Sequence, residues 1–249
     1  MGGGFYDGDV AERARSTRDD AFTFHGAPAA GDAARREVHP DLSPLGTSRE
    51  CVQATPIVVA FDVTRSRGND ARIVYEKMPM LMGQINMRAY VPEPALSFAA
   101  IGDATVDQAP LQVGQFEADN RLDAVLEKMW LEEGGGGTGQ ETYELAAYYY
   151  ARHTKLHCLA AGRKGYLFFV GDEGFYPKVS REHVQRFVGD ALPADLDARE
   201  IFRELQERFD VFLVYPRATW EERRADIDAE IQRRVVEAGG MHAGVDIRA

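Results

Sequence analysis

Three oxygen-bearing side chains follow an apolar segment near the start of the chain's central part, spaced two residues apart. Residues 57–61 are Ile-Val-Val-Ala-Phe, a run that predicts a strand buried on both faces. Asp62, Thr64 and Ser66 come next, in a D-x-T-x-S pattern. Alternate residues of an extended chain point to the same side, so we expect one carboxylate and two hydroxyls to converge. Hard oxygen ligands of this kind are typical of sites for Mg²⁺, Mn²⁺ or Ca²⁺.

Two later segments offer further oxygen ligands. Residues 134–142 read Gly-Gly-Gly-Gly-Thr-Gly-Gln-Glu-Thr, a glycine loop that opens a predicted helix. Asp172 directly follows the apolar run 166–170, which predicts another strand. The loop lacks the Gly-Lys-Ser/Thr of a phosphate-binding loop, so the sequence does not favour a nucleotide site there.

From residue 55 onward, predicted strands alternate with predicted helices. The strands are expected at 57–61, 95–101, 111–116, 165–170 and 211–215, and the helices at 71–86, 122–131, 142–153, 179–187, 197–208 and 220–238. This alternation predicts an α/β fold with a doubly wound, mostly parallel central sheet and helices on both faces. We assign residues 55–238 to this domain, 1–54 to a flexible or loosely docked arm, and 239–249 to a C-terminal tail.

The three oxygen-bearing segments together resemble the von Willebrand factor A (vWA) domain with its metal-ion-dependent adhesion site (MIDAS), of the intracellular bacterial type. In that family a D-x-S/T-x-S motif follows the first strand, a threonine follows a glycine-containing loop, and an aspartate follows a later central strand. The resemblance covers about residues 55–238 and implies a Rossmann-like sheet. It also implies a magnesium site, with Mn²⁺ or Ca²⁺ as alternatives, whose ligands are Asp62, Thr64, Ser66, Thr142 or Thr138, and Asp172.

Between the two threonines, the resemblance favours Thr142, because the apolar residues 145–147 follow it closely, as they do in the family. Arg65 departs from the family pattern, since a small residue is usual between the two hydroxyl ligands. Its positive charge lowers the expected affinity for a divalent cation, and it could pair with Asp103 or Glu173 or recognise a partner's carboxylate. A vWA fold kept as a scaffold, with a dispensable metal site, is therefore another interpretation.

The resemblance implies a non-enzymatic binding module, and we assign no catalytic residue. Neutral hydroxyls leave the cation with only two carboxylates, so an acidic group of a protein partner can complete its coordination shell. The resemblance also implies a partner from a multi-protein system, such as an ATPase or a kinase, as for intracellular bacterial members of the family. We expect the partner to bind at a rim around the cation. The rim is formed by Arg65, Arg67, Asp103, Glu141, Glu173, Phe175 and Tyr176.

An enzyme of a different class is the alternative hypothesis. Asp62 followed by Thr64 also resembles the start of a haloacid dehalogenase-like phosphotransferase, in which Asp62 would be the nucleophile and residues 171–173 a metal-binding loop. The second acidic residue expected after that loop is absent, and the expected lysine is matched only loosely by Lys155 or Lys164.

The composition narrows the classes of partner. The 249-residue chain has a net charge of −11, which disfavours nucleic acid and anionic membranes as partners. Two cysteines, Cys51 and Cys158, do not make a disulfide framework or a zinc cluster. The sequence has no apolar run long enough to span a membrane and no secretory signal, so we expect a cytoplasmic protein.

Overall fold

The computed structural model describes residues 7, 38–63, 70–130, 139–171, 173–214 and 242–243. The strands are β1 (Arg49–Cys51), β2 (Thr55–Asp62), β3 (Pro94–Ile101), β4 (Leu111–Val113), β5 (Gln140–Glu141), β6 (Thr154–Leu156), β7 (Gly165–Val170), β8 (Gly174–Phe175), β9 (Lys178–Val179), β10 (Leu196–Asp197), β11 (Phe209–Val214) and β12 (His242–Ala243). The α-helices are α1 (Asp70–Arg88), α2 (Arg121–Lys128), α3 (Tyr143–Arg152), α4 (Arg181–His183) and α5 (Ala198–Gln206). A π-turn, Val184–Val188, continues α4, and 3₁₀ turns cover Pro40–Leu42 and His157–Ala161.

A six-stranded sheet forms the centre of the described structure, in the order β12-β11-β7-β2-β3-β4. Every neighbouring pair is parallel except β3 and β4, which are antiparallel at the edge. Strand β2 lies between β3 and β7, and all eight of its residues are buried, as its continuous apolar sequence requires. The predicted α/β fold with a mostly parallel sheet is confirmed.

Alternate residues of β2 belong to two separate hydrophobic clusters. Val59 and Phe61 share one cluster with residues of α1 and α2, whereas Val58 and Ala60 share the other with residues of α3 and α5. This division follows from the two-residue period of a strand, which turns successive side chains to opposite faces of the sheet. The core therefore lies along the sheet, and the strand ends are left to carry polar residues.

Helix α3 is buried along almost its whole length. The aromatic run Tyr148–Tyr150 is at most 1% exposed, and each of its phenol groups still has a hydrogen-bond partner. Tyr148 donates to Asp190 at 2.6 Å, Tyr149 lies 3.2 Å from the Thr47 hydroxyl, and Tyr150 lies 2.9 Å from the Ser97 hydroxyl. Because buried phenols are satisfied in this way, three consecutive tyrosines can pack in a core.

Residues 38–54, which the sequence analysis assigned to the arm, pack on the domain. Strand β1 pairs in parallel with β6, and Leu42 and Cys51 are buried. The buried guanidinium of Arg49 donates to the carbonyl oxygen of Val113 at 2.8 and 3.2 Å and to that of Asp41 at 3.1 Å. A buried charge requires such hydrogen bonds, so these contacts fix the segment in place. The packed part of the chain therefore includes residues before 55.

Several expectations concern segments outside the described residues. These include the predicted helix at 220–238, the first part of the arm and most of the tail. Within the described ranges, no helix is long and apolar enough to cross a membrane. Both cysteines are buried free thiols, and burial raises the pKa of Cys51 to about 12, so this thiol is not a reactive nucleophile at neutral pH.

Candidate functional site

The carboxyl end of β2 places Asp62 between two neighbouring strand ends. Asp62 pairs in register with Ile101 of β3, and Phe61 pairs with Val170 of β7, so Gly171 is the next residue on that side. A Cβ atom added to Gly171 would lie 3.3 Å from the Asp62 Cβ and would overlap the Tyr143 phenol oxygen. The absence of a side chain at Gly171 therefore lets Tyr143 reach the end of β2. Asp172 follows Gly171 in the sequence but lies outside the described residues.

Thr142 is the N-cap of α3 and is buried at the same edge of the sheet. Its hydroxyl donates to the carbonyl oxygen of Gly102 and accepts a hydrogen bond from the Ala104 amide at 3.2 Å. The Thr142 amide also donates to the Gly102 carbonyl, at 3.2 Å. Since Gly102 directly follows β3, which pairs with β2, these bonds place Thr142 at the same edge of the sheet as Asp62. One lone pair of the hydroxyl remains available for a cation or a water.

The loop after β3 carries two buried aspartates at the same edge of the sheet as Asp62, namely Asp103 and Asp107. The Oδ1 atom of Asp103 accepts hydrogen bonds from the amide and the hydroxyl of Thr105, at 2.9 and 2.7 Å. The Tyr176 phenol donates to the two carboxylate oxygens of Asp103, at 3.0 and 3.1 Å. Asp107 accepts from the Asp103 amide at 2.7 Å, and a Cβ atom at Gly102 would lie 2.5 Å from the Asp107 carboxylate. Two members of the predicted rim, Asp103 and Tyr176, are therefore brought together.

Glu141 is the most unusual group of the site. It lies in β5, which pairs in parallel with β8 so that Glu141 is opposite Phe175. Only 3% of Glu141 is exposed, and its Oε2 atom has no hydrogen-bond partner among the described residues. Burial raises the pKa of Glu141 to about 10, and four neighbouring carboxylates add to the shift, namely Asp62, Asp107, Asp103 and Glu173. Without a cation nearby, this carboxyl therefore holds a proton at neutral pH.

Glu144 and the aromatic pair after β8 complete the described part of the site. Burial raises the pKa of Glu144 well above its ordinary value, although its carboxylate accepts a hydrogen bond from the Tyr176 amide at 3.2 Å. Phe175 packs edge-on against Phe202 of α5, with ring centroids 5.1 Å apart. Phe175 and Tyr176 are both half-buried. The aromatic part of the rim is therefore anchored to the fold, and it still has surface that faces solvent.

The structure places some of the predicted site residues together and leaves others undescribed. Asp62, Thr142, Asp103, Glu141 and Tyr176 lie around the carboxyl edge, with Glu173 close enough to Glu141 to affect its pKa. The remaining predicted ligands and rim residues lie outside the described residues: Thr64, Arg65, Ser66, Arg67, Thr138 and Asp172.

Sequence reasoning did not identify Asp107, Tyr143 or Glu144 as part of the site. Asp107 follows Asp103 by four residues, and a Gly-Asp pair after a strand with a second aspartate nearby is a signal that could have been used. No comparable signal exists for Tyr143, because its position depends on the missing side chain of Gly171.

The described part of the site matches a hard cation in its chemistry. No three His, Cys, Asp or Glu side chains in the described ranges are arranged to hold a metal ion. Only two predicted ligands, Asp62 and Thr142, fall within those ranges. They supply a carboxylate and a hydroxyl oxygen, and Glu141 adds a buried carboxyl oxygen that has no partner among the described residues. Oxygen donors of these types are the ligands that Mg²⁺ and Ca²⁺ prefer.

The two lysines considered for the phosphotransferase hypothesis lie away from Asp62. Lys164 precedes β7 and donates to the carbonyl oxygen of Gln206 at 2.7 Å. It is therefore at the amino end of the six-residue strand β7, about 20 Å along the strand from the Asp62 edge. Lys155 is exposed and pairs with Glu50 at 2.7 Å. Neither lysine is placed to bind a phosphate at Asp62.

Comparisons with known proteins do not identify a family. No protein-family model matches the chain, and no curated protein matches it significantly. Among solved structures, two crystal structures of the pilus adhesin SpaC from Lactobacillus rhamnosus GG, one in an open conformation, are similar to part of it. Their TM-scores are 0.37 and 0.36, with 13% and 12% sequence identity. Each match covers 51% of this chain and 16% of the adhesin chain, so the similarity concerns a small part of that protein.

Proposed function

We propose that this chain is a vWA-like, non-enzymatic protein-binding module that uses a divalent cation at the carboxyl edge of its sheet to engage an acidic group of a protein partner. The observation that carries the proposal is the pairing of β2 between β3 and β7. It puts Asp62 beside Gly171, so the start of the D-x-T-x-S segment lies next to the residue that precedes Asp172.

The order of the strands supports a doubly wound, Rossmann-like sheet. Numbered along the chain within this sheet, the strands run third, second, first, fourth, fifth and sixth, and the third strand is the antiparallel edge. The chain therefore reverses its direction across the sheet between β2 and β7. Open α/β sheets bind ligands at such a switch point, outside the carboxyl ends of the strands. The hydrophobic clusters formed by alternate β2 residues agree with helices on both faces.

The proposed ligands divide into two chemical types. Asp62 and Asp172 supply negative charge, whereas Thr64, Ser66 and either Thr142 or Thr138 supply neutral oxygens. The Thr142 hydroxyl lies at the same edge of the sheet as Asp62, which supports Thr142 as a ligand. When bound, the cation supplies a coordination position for a carboxylate of the partner. Mg²⁺ is the preferred ion, with Mn²⁺ and Ca²⁺ as alternatives.

The rim supports binding of a partner at this edge. Tyr176 is held by Asp103, and Phe175 is packed on Phe202, so both aromatic rings are positioned before a partner arrives. Rigid aromatic side chains lose little entropy on binding and often anchor interfaces. A partner from a cytoplasmic multi-protein system, such as an ATPase or a kinase, remains our expectation from the sequence.

Calorimetric titration of Mg²⁺ and Mn²⁺ tests the cation site. We expect the wild type to bind one ion and Asp62→Asn to bind it at least tenfold more weakly, because one of two charged ligands is lost. Asp210→Asn is the matched control, since Asp210 is an exposed aspartate near the amino end of β11. Equal binding by wild type and Asp62→Asn, or no binding by the wild type, would refute the proposed site.

Affinity capture with quantitative mass spectrometry tests the binding function. Wild type and Asp62→Asn are used as baits with Mg²⁺ or with EDTA, and the proposal expects at least one partner to be captured only by the wild type with Mg²⁺. A parallel assay with p-nitrophenyl phosphate addresses the enzyme hypothesis. Hydrolysis that Asp62→Asn abolishes would replace the binding module with a phosphotransferase.

A further inference from the structure

We propose that Glu141 is a direct ligand of the cation, a carboxylate ligand in addition to Asp62. This inference rests on the proposed function and adds a ligand that lies outside the D-x-T-x-S pattern. From the sequence, Glu141 is expected on the rim or as an outer-shell acceptor beside Thr142, not as a direct ligand. The structure instead places it in the interior of the site, almost fully buried.

The backbone on both sides of Glu141 is fixed. Before it, the Gly139 carbonyl accepts from the Gly174 amide at 3.2 Å, within the β5 and β8 pairing. After it, the Thr142 amide donates to the Gly102 carbonyl at 3.2 Å. Glu141 is thus held between the segment that follows Asp172 and the loop that follows β3. These connections fix the Cα position from which the buried Glu141 side chain extends.

The burial of the Glu141 carboxyl has a cost that nothing else in the described structure offsets. Its Oε2 atom is inaccessible to solvent and has no hydrogen-bond partner among the described residues. Leaving a buried polar atom unsatisfied costs about 1–3 kcal/mol, and glutamate is rarely fully buried unless it is paired. A proton on the carboxyl would remove its charge but would still leave an oxygen without a partner. A cation satisfies both the oxygen and the charge.

The neighbouring aspartates of the loop after β3 have a different role. Asp103 accepts hydrogen bonds from Thr105 and from Tyr176, and Asp107 accepts one from the Asp103 amide. These bonds fold the loop and hold its carboxylates in place. Glu141 makes no comparable structural hydrogen bond through Oε2. The inference therefore selects Glu141, rather than Asp103, as the additional ligand.

Titration with Mn²⁺, followed by the electron paramagnetic resonance signal of the free ion, tests this inference. Four proteins are compared: wild type, Glu141→Gln, Glu117→Gln and Asp62→Asn. We expect Glu141→Gln to raise the Kd for Mn²⁺ at least tenfold. Glu117→Gln is the matched control, because Glu117 is a half-buried glutamate whose pKa is also raised by burial, and its backbone bonds to Leu96 near the amino end of β3, away from the site. We expect its Kd to stay within twofold of the wild type.

Thermal unfolding separates a ligand from a structural residue. In EDTA, we expect Glu141→Gln to be at least as stable as the wild type, since a neutral amide replaces a carboxyl among carboxylates. In Mn²⁺, the wild type should gain stability, and Glu141→Gln should not. A variant that is destabilised in EDTA would show that Glu141 only supports the fold, which overturns the inference.

The outcomes distinguish this inference from the proposed function. If Asp62→Asn loses Mn²⁺ binding while Glu141→Gln keeps wild-type affinity, Glu141 is not a ligand and the cation site stands. If the wild type binds no Mn²⁺, the cation site and the role of Glu141 both fail.

Discussion

Helix α3 begins among carboxylates and ends among ion pairs. At its amino end, Glu144 lies in the first turn and is fully buried, two residues after the N-cap Thr142 and three after Glu141. At its carboxyl end, Arg152 makes two hydrogen bonds of 2.8 Å with Glu204 of α5. The helix dipole favours acidic groups at the first end and basic groups at the second, so both arrangements agree with the direction of the helix.

The two ends differ in what surrounds their carboxyl groups. Burial raises the pKa of both Glu141 and Glu144, whereas the hydrogen bond from Arg152 lowers the pKa of Glu204. Burial also tends to raise the pKa of Asp190, but hydrogen bonds from Tyr148 and His153 outweigh it, so that pKa is lowered. The carboxyl end is therefore arranged for stability. The amino end carries an electrostatic cost, and groups shifted in this way concentrate at binding and catalytic sites.

Gly171→Ala should produce the largest loss of stability, at the amino end of the helix. The new Cβ would overlap the phenol oxygen of Tyr143, which is buried and cannot rotate into solvent. Overpacking of this kind costs about 3 kcal/mol. Urea denaturation measures the loss, and the same change in a Tyr143→Phe background should cost less, because the overlapping oxygen is gone. An equal loss in both backgrounds would show that Tyr143 is not the obstacle.

Glu144→Gln should be more stable than the wild type, and the difference should grow as the pH rises. In the wild type, the folded-state pKa of Glu144 is raised, so its contribution to stability is full below the unfolded value of 4.5 and is lost as the pH rises toward the folded value. The glutamine variant lacks this loss. Its advantage should therefore grow above pH 4.5 by up to about 1.4 kcal/mol per pH unit. Urea denaturation in EDTA between pH 5 and 8 measures the difference, and a constant difference would contradict the prediction.

The sequence predicted the position of Asp62 but not the surroundings of Glu141. A long apolar run followed by D-x-T-x-S marks a central strand and its end, because burial on both faces leaves a clear pattern. The two-residue strand that holds Glu141 is too short to show any period, and its burial depends on contacts with distant loops. Arg49 gave no signal either, because the Val113 carbonyl that binds it cannot be inferred from residue type.

Asp190→Ala tests the carboxyl end of α3 at acid pH. The Asp190 carboxylate accepts from Tyr148 at 2.6 Å and lies 2.7 Å from His153 Nε2. Losing these bonds should cost about 1 kcal/mol at neutral pH. Because the folded-state pKa of Asp190 is lowered, its contribution is full above 3.8 and is lost as the pH falls below that value. The difference from wild type should shrink below pH 4, and a gap that stays constant down to pH 2 would count against this account.

Glu204→Gln should have the smallest effect on stability. Like the effect of Asp190→Ala, it should shrink as the pH falls. The Arg152–Glu204 pair is well aligned, but its side chains are 34% and 41% exposed, so solvent screens it. Exposed pairs contribute about 0.5 kcal/mol, and this contribution is present above pH 4.5 and lost as the pH falls.

Screening also predicts that 1 M NaCl removes most of the difference between Glu204→Gln and the wild type. The matched variant Glu144→Gln should keep its pH-dependent advantage in the same salt, because a buried group is screened much less. Similar salt sensitivity in both variants would mean that the two ends of α3 do not differ in burial as the structure describes.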